Sequence, residues 1–189
     1  MKYKEYSNQS ESEKQINNCK VSETIKNMLI DQIKHELYNH NLYLTFANFY
    51  GVQGLIVLEE YYIRRAAEEK KHHDWIYRYL GTNDVMFSYP QIDQISDEFS
   101  ELIDPIKITV DVENETTALI YKIVEQALEE KDWATYNWLM DNNDETGMLV
   151  KEQIEEMSIS RTVLDIAGED CSWLTKQKAI MNAYTNDVD

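Results

Sequence analysis

The 189-residue chain contains little glycine, proline or cysteine, and it has no long apolar run. With only 5 Gly and 2 Pro among abundant Glu, Lys, Ile, Leu and Ala, the composition predicts a mostly helical protein. Cys19 and Cys171 lie far apart and belong to no CxxC or Cys/His spacing, which excludes a zinc finger and a rubredoxin-type iron site. No apolar stretch is long enough to span a bilayer.

Positive charge is also scarce. The chain has 18 Lys and Arg against 35 Asp and Glu, for a net charge of -17. Such a charge argues against nucleic acid and anionic membranes as partners and would attract cations. By itself the charge is equally consistent with a surface that only keeps the protein in solution.

The length favours a single domain. Residues 1–20 are polar and lack the apolar core of a secretory signal, so we interpret them as a flexible extension preceding a domain at 21–189. The sparse, unpaired cysteines suit a reducing compartment, and we expect the protein to be cytoplasmic.

Apolar periodicity predicts four long helices and a weaker fifth one. Ser22 is a suitable N-cap for the first, and Asp104 followed by Pro105 is a suitable start for the third. The predicted segments cover residues 22–50, 55–80, 104–131, 135–166 and 171–184. The connection between the second and third helices, residues 81–104, is much longer than the others. This pattern is typical of an antiparallel four-helix bundle with one crossover.

Each of the four long helices carries a glutamate on its apolar stripe. These residues are Glu36, Glu69, Glu113 and Glu156. Buried carboxylates without partners cost several kcal/mol each. Either these side chains are solvated, or something cationic lies among them.

Their positions along the chain favour convergence. Facing residues of a helical hairpin lie equally far from its turn, and the midpoint between Glu36 and Glu69 falls within GVQG, residues 51–54. The midpoint between Glu113 and Glu156 falls within KDWAT, residues 131–135. His72, three residues after Glu69, shares its helix face. Carboxylates with one imidazole suit iron or manganese better than copper or calcium.

Four segments, in order, resemble those of the bacterial non-haem ferritins over residues 22–168. They are HELYNHNLY, AAEEKKHH, ENETT and KEQIEEM. The resemblance implies an all-α, ferritin-like antiparallel four-helix bundle with one long crossover and a short C-terminal fifth helix. The ligand set described here is the general one of ferritin-like diiron proteins.

The resemblance also implies roles for particular residues. Glu36, Glu69 and His72 resemble the ligands of the first iron of a ferroxidase centre. Glu69 as a bridge, with Glu113 and Gln153, resembles the second. A third, weaker iron site is implied by a set of four glutamates: Glu68, Glu152, Glu155 and Glu156. Tyr43 corresponds to a tyrosine that supplies an electron in the family, although core packing explains it equally well.

The chemistry implied is the oxidation of Fe(II) by O₂ at an intrasubunit diiron centre. Ferric oxyhydroxide would then be deposited inside a homo-oligomeric shell of about twenty-four copies. No haem is expected, since Lys70 stands where bacterioferritin has its haem-ligating methionine. Two other functions stay open: an iron-storage cage subunit with impaired or no ferroxidase activity, and a diiron oxidase acting on another small substrate.

The chain departs from the family's pattern in the fourth helix. The spacing from Glu113 to the KEQIEEM motif is seven residues longer than usual, and we place an insertion near DNNDETG, residues 141–147. Without it, Thr146 and Leu149 would replace Gln153 and Glu156 as ligands. His40 is either a further ligand or a hydrogen-bonded core residue, and we expect His73 to be exposed.

Overall fold

The computed structural model describes residues 21–96, 98–141 and 149–187. Within these ranges there are helices and no strand. In chain order, they are α1 Glu23–Val52, α2 Ile56–Thr82, α3 Asp104–Glu130, α4 Trp133–Met140, α5 Leu149–Gly168 and α6 Trp173–Asp187. The predicted antiparallel bundle with a long crossover and a C-terminal helix is confirmed, and α4 and α5 cover the predicted fourth helix on either side of the proposed insertion.

The helix ends follow from local hydrogen bonds. The Ser22 hydroxyl accepts from the Ile25 N–H at 3.1 Å, as its predicted role as N-cap of α1 requires. The prediction of Asp104 as an N-cap is wrong, because Ile103 caps α3 and Asp104 is its first residue. The Asp104 carboxylate instead accepts from backbone N–H groups of the preceding turn.

The crossover, residues 83–103, runs along the outside of α1. Near its start Phe87 packs against the core around Leu29, and near its end Phe99 packs against Phe46, with ring centroids 5.4 Å apart. The Tyr50 hydroxyl donates to the Leu102 carbonyl at 2.6 Å. Because the crossover spans the bundle, α3 starts at the end where α2 starts, and these two helices are parallel.

The bundle has two apolar cores, one at each end. The first joins the second half of α1 to the first half of α2 and includes Phe46 and Tyr62. The second joins the opposite halves of the same helices and includes Leu29 and Leu80. Between them lies a polar layer, and this layer forms the candidate site.

Two predictions concern parts of the chain outside the described residues. One is the flexible extension at 1–20. The other is the insertion at 141–147, of which only Asp141 is described. In the part that the structure covers, no helix is long and apolar enough to cross a membrane.

Candidate metal centre

The polar layer brings six of the predicted site residues together from four helices. They are almost fully buried, with at most 5 % exposure: Glu36 on α1, Glu69 and His72 on α2, Glu113 on α3, and Gln153 and Glu156 on α5. Leu149, which would be a ligand if there were no insertion, lies in the apolar core. Gln153 and Glu156 follow Leu149 by four and seven residues, so they lie on the same inward face of α5.

The first ligand group consists of Glu36, Glu69 and His72. One potential ligand atom of each lies within 4.8 Å of the others. In the described structure, Glu36 Oε2, both Glu69 carboxylate oxygens and His72 Nδ1 are buried without a hydrogen-bond partner. Such atoms are costly in a protein interior unless they are ligands of something. These residues thus fit a divalent metal ion.

Neighbouring side chains orient this group. The Gln32 amide donates to Glu36 Oε1 at 2.7 Å, which leaves Oε2 as the free oxygen. His72 Nε2 lies 3.0 Å from Glu152 Oε2, so the other ring nitrogen, Nδ1, is directed at the centre. A carboxylate on the second nitrogen is the usual way in which proteins position a metal-binding histidine.

The second ligand group consists of Glu69, Glu113 and Glu156, whose oxygens also lie within 4.8 Å of one another. Both oxygens of Glu69 and Glu156 Oε2 have no hydrogen-bond partner in the described structure, whereas both oxygens of Glu113 accept bonds. Glu113 Oε2 accepts from the Gln153 amide at 2.7 Å. Glu113 Oε1 accepts from the Tyr43 hydroxyl and from Arg65.

Arg65 is a residue of the polar layer that the sequence reasoning missed. Its side chain is fully buried and forms ion pairs with Glu113, with Glu68 at 2.9 Å and with Glu156 at 3.4 Å. One feature of the sequence does indicate that Arg65 belongs to this layer. It lies four residues before Glu69, which puts both residues on one helix face. A second arginine at 64 made the pair resemble an exposed charge run.

The four glutamates of the implied third site are not all at the centre. Glu156 is buried, and Glu68 and Glu152 adjoin the layer, with side-chain exposures of 23 % and 15 %. Glu155 lies on the outside, half exposed, and forms a loose pair with Lys151 at 3.8 Å.

The two extra histidines also have defined positions. His40 donates through Nδ1 to the Ala66 carbonyl at 2.7 Å, which is the hydrogen-bonded alternative. The prediction that His73 is exposed is wrong, because its exposure is 4 %. Tyr89 of the crossover covers the ring and places its hydroxyl 3.1 Å from Nε2.

The electrostatics of the layer reflect its crowded carboxylates. Burial and the charges of Glu113, Glu156 and Glu36 raise the pKa of Glu69 well above its usual range. Burial alone would lower the pKa of His72, but the surrounding carboxylates, Glu156 foremost, raise it well above its usual value. Without metal ions, the negative charge of the layer is therefore balanced by protons on these groups and by the guanidinium of Arg65.

These features define a class of protein: a four-helix bundle with a buried carboxylate and histidine site between two apolar cores. Residues 26–165 match the family model of the ferritin-like domain. The chain therefore belongs to the ferritin family, whose general function is iron storage.

Individual relatives agree with this assignment. The chain is 28 % identical over 160 residues to a bacterial non-heme ferritin of Staphylococcus haemolyticus, a match that covers 82 % of this chain and 90 % of the relative. It is 25 % identical over 173 residues to that of Staphylococcus aureus, covering 88 % and 98 %. The open pore ferritin of the archaeon Archaeoglobus fulgidus superposes with a TM-score of 0.77 at 25 % identity, covering 85 % and 98 %.

Proposed function

We propose that this protein oxidises Fe(II) with O₂ at an intrasubunit diiron centre and stores the product as ferric oxyhydroxide. Family membership supports iron storage. The single observation that carries the oxidase proposal is the first ligand group, in which Glu36, Glu69 and His72 direct four unpartnered buried atoms at one point. Glu69 belongs to the second ligand group as well, which supports a bridging role for its carboxylate.

In the proposed reaction Fe(II) is the substrate. Two Fe(II) ions within about 4 Å of each other give up one electron each. O₂ takes both electrons and two protons and leaves as hydrogen peroxide. The two Fe(III) ions then hydrolyse to oxyhydroxide and release protons to water. The role of the protein is to hold the pair together, so that O₂ is reduced in one two-electron step.

We propose further that copies of the chain form a shell around the mineral. The comparison with an archaeal ferritin described as having an open pore supports an assembly of this kind. The net charge of -17 per copy would concentrate Fe(II) at such a shell.

The oxidase proposal is tested by the initial rate of Fe(II) oxidation in air at a low ratio of iron to chain. Replacing two ligands in Glu69→Ala with His72→Ala should lower this rate at least about 10-fold. A matched control, Glu60→Ala with His73→Ala, removes the same residue types from α2 outside the ligand groups and should keep the wild-type rate. Equal rates for all three proteins would reject the oxidase function.

One observation favours the cage subunit with impaired activity as the second candidate. The carboxylates of the second ligand group are already paired with Arg65. Under that function, the wild type would oxidise Fe(II) no faster than the ligand variant and would still take up Fe(III) into a shell.

A further inference from the structure

Arg65 lies where a second cation would be expected. Its guanidinium has no exposed surface and is the only arginine or lysine head group in direct contact with Glu113 or Glu156 among the described residues. Nη2 bonds to Glu113, whereas Nη1 lies 2.9 Å from Glu68 and 3.4 Å from Glu156. One planar group thus connects carboxylates from α2, α3 and α5.

The hydrogen bonds of the polar layer distinguish an open half from a filled half, and the filled half contains two unpartnered atoms of its own, Glu156 Oε2 and Gln153 Oε1. In the filled half, both oxygens of Glu113 accept bonds, from Tyr43 and Arg65 on one side and from Gln153 on the other. Both oxygens of Glu68 also accept, from Arg65 and from the Tyr184 hydroxyl at 2.6 Å.

The open half is the first ligand group. There, both oxygens of Glu69, Glu36 Oε2 and His72 Nδ1 have no partner in the described structure. A metal ion entering this half breaks none of the hydrogen bonds described above. An ion in the filled half that takes Glu113 as a ligand must displace donors from it.

We propose that Arg65 is an internal competitor for the second metal ion of the centre. It is a positioning residue that holds Glu113 and Glu156 in the metal-free protein and makes metal binding stepwise. The first ion enters the Glu36, Glu69 and His72 group, and the second binds more weakly because it must displace the guanidinium. This inference rests on the proposed function, since it takes the centre to be a divalent-metal site.

The physical reason is charge. An arginine cannot neutralise itself by losing a proton at any ordinary pH. A dication beside Glu113 and Glu156 would therefore meet a fixed positive charge at close range unless the guanidinium moved away. Moving it breaks its bonds to three carboxylates at once. The first ion meets no guanidinium among its ligands, since Arg65 contacts none of Glu36, Glu69 and His72 through an ion pair in the described structure.

The test is a titration of the metal-free protein with Co²⁺, followed by visible absorption and by heat. Absorption reports the coordination of cobalt without any oxidation of iron. For the wild type we expect two steps, with the second dissociation constant at least about 10-fold above the first. In Arg65→Gln the second constant should fall at least about 10-fold, while the first should stay unchanged.

Arg64→Gln is the matched control. Arg64 is the neighbouring residue, about half exposed, and it pairs with Glu60 on the surface. This change removes the same charge from the same helix and should leave both binding steps as in the wild type. A similar tightening in Arg64→Gln would assign the effect to net charge and overturn the role of Arg65.

Other outcomes are equally decisive. Two ions binding the wild type with equal affinity would overturn the inference, as would an unchanged second step in folded Arg65→Gln. If Arg65→Gln does not fold, Arg65→Lys serves instead, because one ammonium cannot bridge Glu113, Glu68 and Glu156 and should give an intermediate second constant. Absence of the first step in the wild type would reject the proposed function as well, so the two failures are distinguishable.

Discussion

Glu69 is the residue on which the candidate centre depends most. It belongs to both ligand groups, and neither of its oxygens has a hydrogen-bond partner in the described structure. The other carboxylates each have at least one contact that holds them in place. Glu69 is therefore the carboxylate that we propose to bridge two metal ions, and in their absence its raised pKa favours the protonated form.

The buried carboxyl groups also determine how the stability of the metal-free protein depends on pH. Burial, working against the charges of Arg65 and His72, raises the pKa of Glu156 from 4.5 to about 8. Between these two values the folded state binds more protons than the unfolded state, so raising the pH lowers the free energy of unfolding. We expect the melting temperature of the metal-free protein to fall across this range.

In Glu156→Gln the side chain stays neutral at every pH. The melting temperature of this variant should therefore depend less steeply on pH in a thermal unfolding series measured at several pH values. Glu155→Gln, on the exposed side of α5, should leave this dependence unchanged. With Co²⁺ present the dependence should reverse, because metal binding displaces protons and becomes stronger as the pH rises. An identical dependence of the melting temperature on pH in wild type and Glu156→Gln would contradict the raised pKa of Glu156.

A variant of Tyr43 distinguishes between an electron-transfer role and a packing role for this residue. Tyr43→Phe keeps the ring contacts with Phe46 and Tyr62 but removes the hydroxyl that bonds to Glu113. We expect a loss of about 1 kcal/mol in the free energy of unfolding, together with slower Fe(II) oxidation. Tyr62→Phe also loses a buried hydroxyl bond, to Thr109 at 3.0 Å, and should keep the wild-type rate. Equal rates for both variants would leave Tyr43 a packing residue.

The residues of the candidate site were predictable from the sequence only up to a point. The inward positions of Glu36, Glu69, Glu113 and Glu156 follow from helical periodicity, which is a local property. Arg65 was not found, since an arginine next to an exposed arginine gives no local sign that it is buried. Its burial depends on carboxylates of α3 and α5 that are distant in the chain.

At the scale of the helix, the predicted fourth helix begins earlier than predicted. It was expected from residue 135, yet α4 starts at Trp133, because Asp132 caps it through a 3.0 Å bond from the Thr135 N–H. α4 is held against α2 by the Tyr79 hydroxyl, 2.7 Å from Thr135 Oγ1. The rotation of α5 about its own axis then directs Gln153 and Glu156 inward.

Asp132→Ala tests whether α4 is separate from the centre. Loss of the cap should lower the free energy of unfolding by about 1 kcal/mol, measured by denaturant titration. The first Co²⁺ affinity should be unchanged, since Asp132 contacts no ligand. Asp141→Ala removes the same side chain from the exposed C-cap position at the opposite end of α4 and should have less effect on stability. A weakened first Co²⁺ step in Asp132→Ala would show that α4 supports the site.

At the scale of the whole molecule, the single chain leaves several large apolar side chains in contact with solvent. Val52 and Ile56 are 77 % and 67 % exposed at the turn between α1 and α2, and Leu174 on α6 is 64 % exposed. Leu174 lies one turn from Gln177, which accepts from the Val57 N–H at 3.1 Å. Met86 and Trp133, towards the other end of the bundle, are 89 % and 58 % exposed. Large exposed apolar residues of this kind are typical of association surfaces.

We therefore expect native mass spectrometry or light scattering to show a closed assembly of about twenty-four copies. Assembly should persist in Glu69→Ala with His72→Ala, because these residues are buried inside one chain. A monomer or dimer as the largest species would contradict the shell and leave the metal centre unaffected.

The sequence by itself determined the helices, their order, the long crossover and the inward glutamates, because apolar periodicity and capping act over a few residues. Only the tertiary structure decided which side chains meet in the polar layer and how their charges are balanced. It put Arg65 among Glu68, Glu113 and Glu156, and it covered His73 with Tyr89. Both outcomes depend on helices and a crossover brought together from distant parts of the chain, and no local pattern records such contacts.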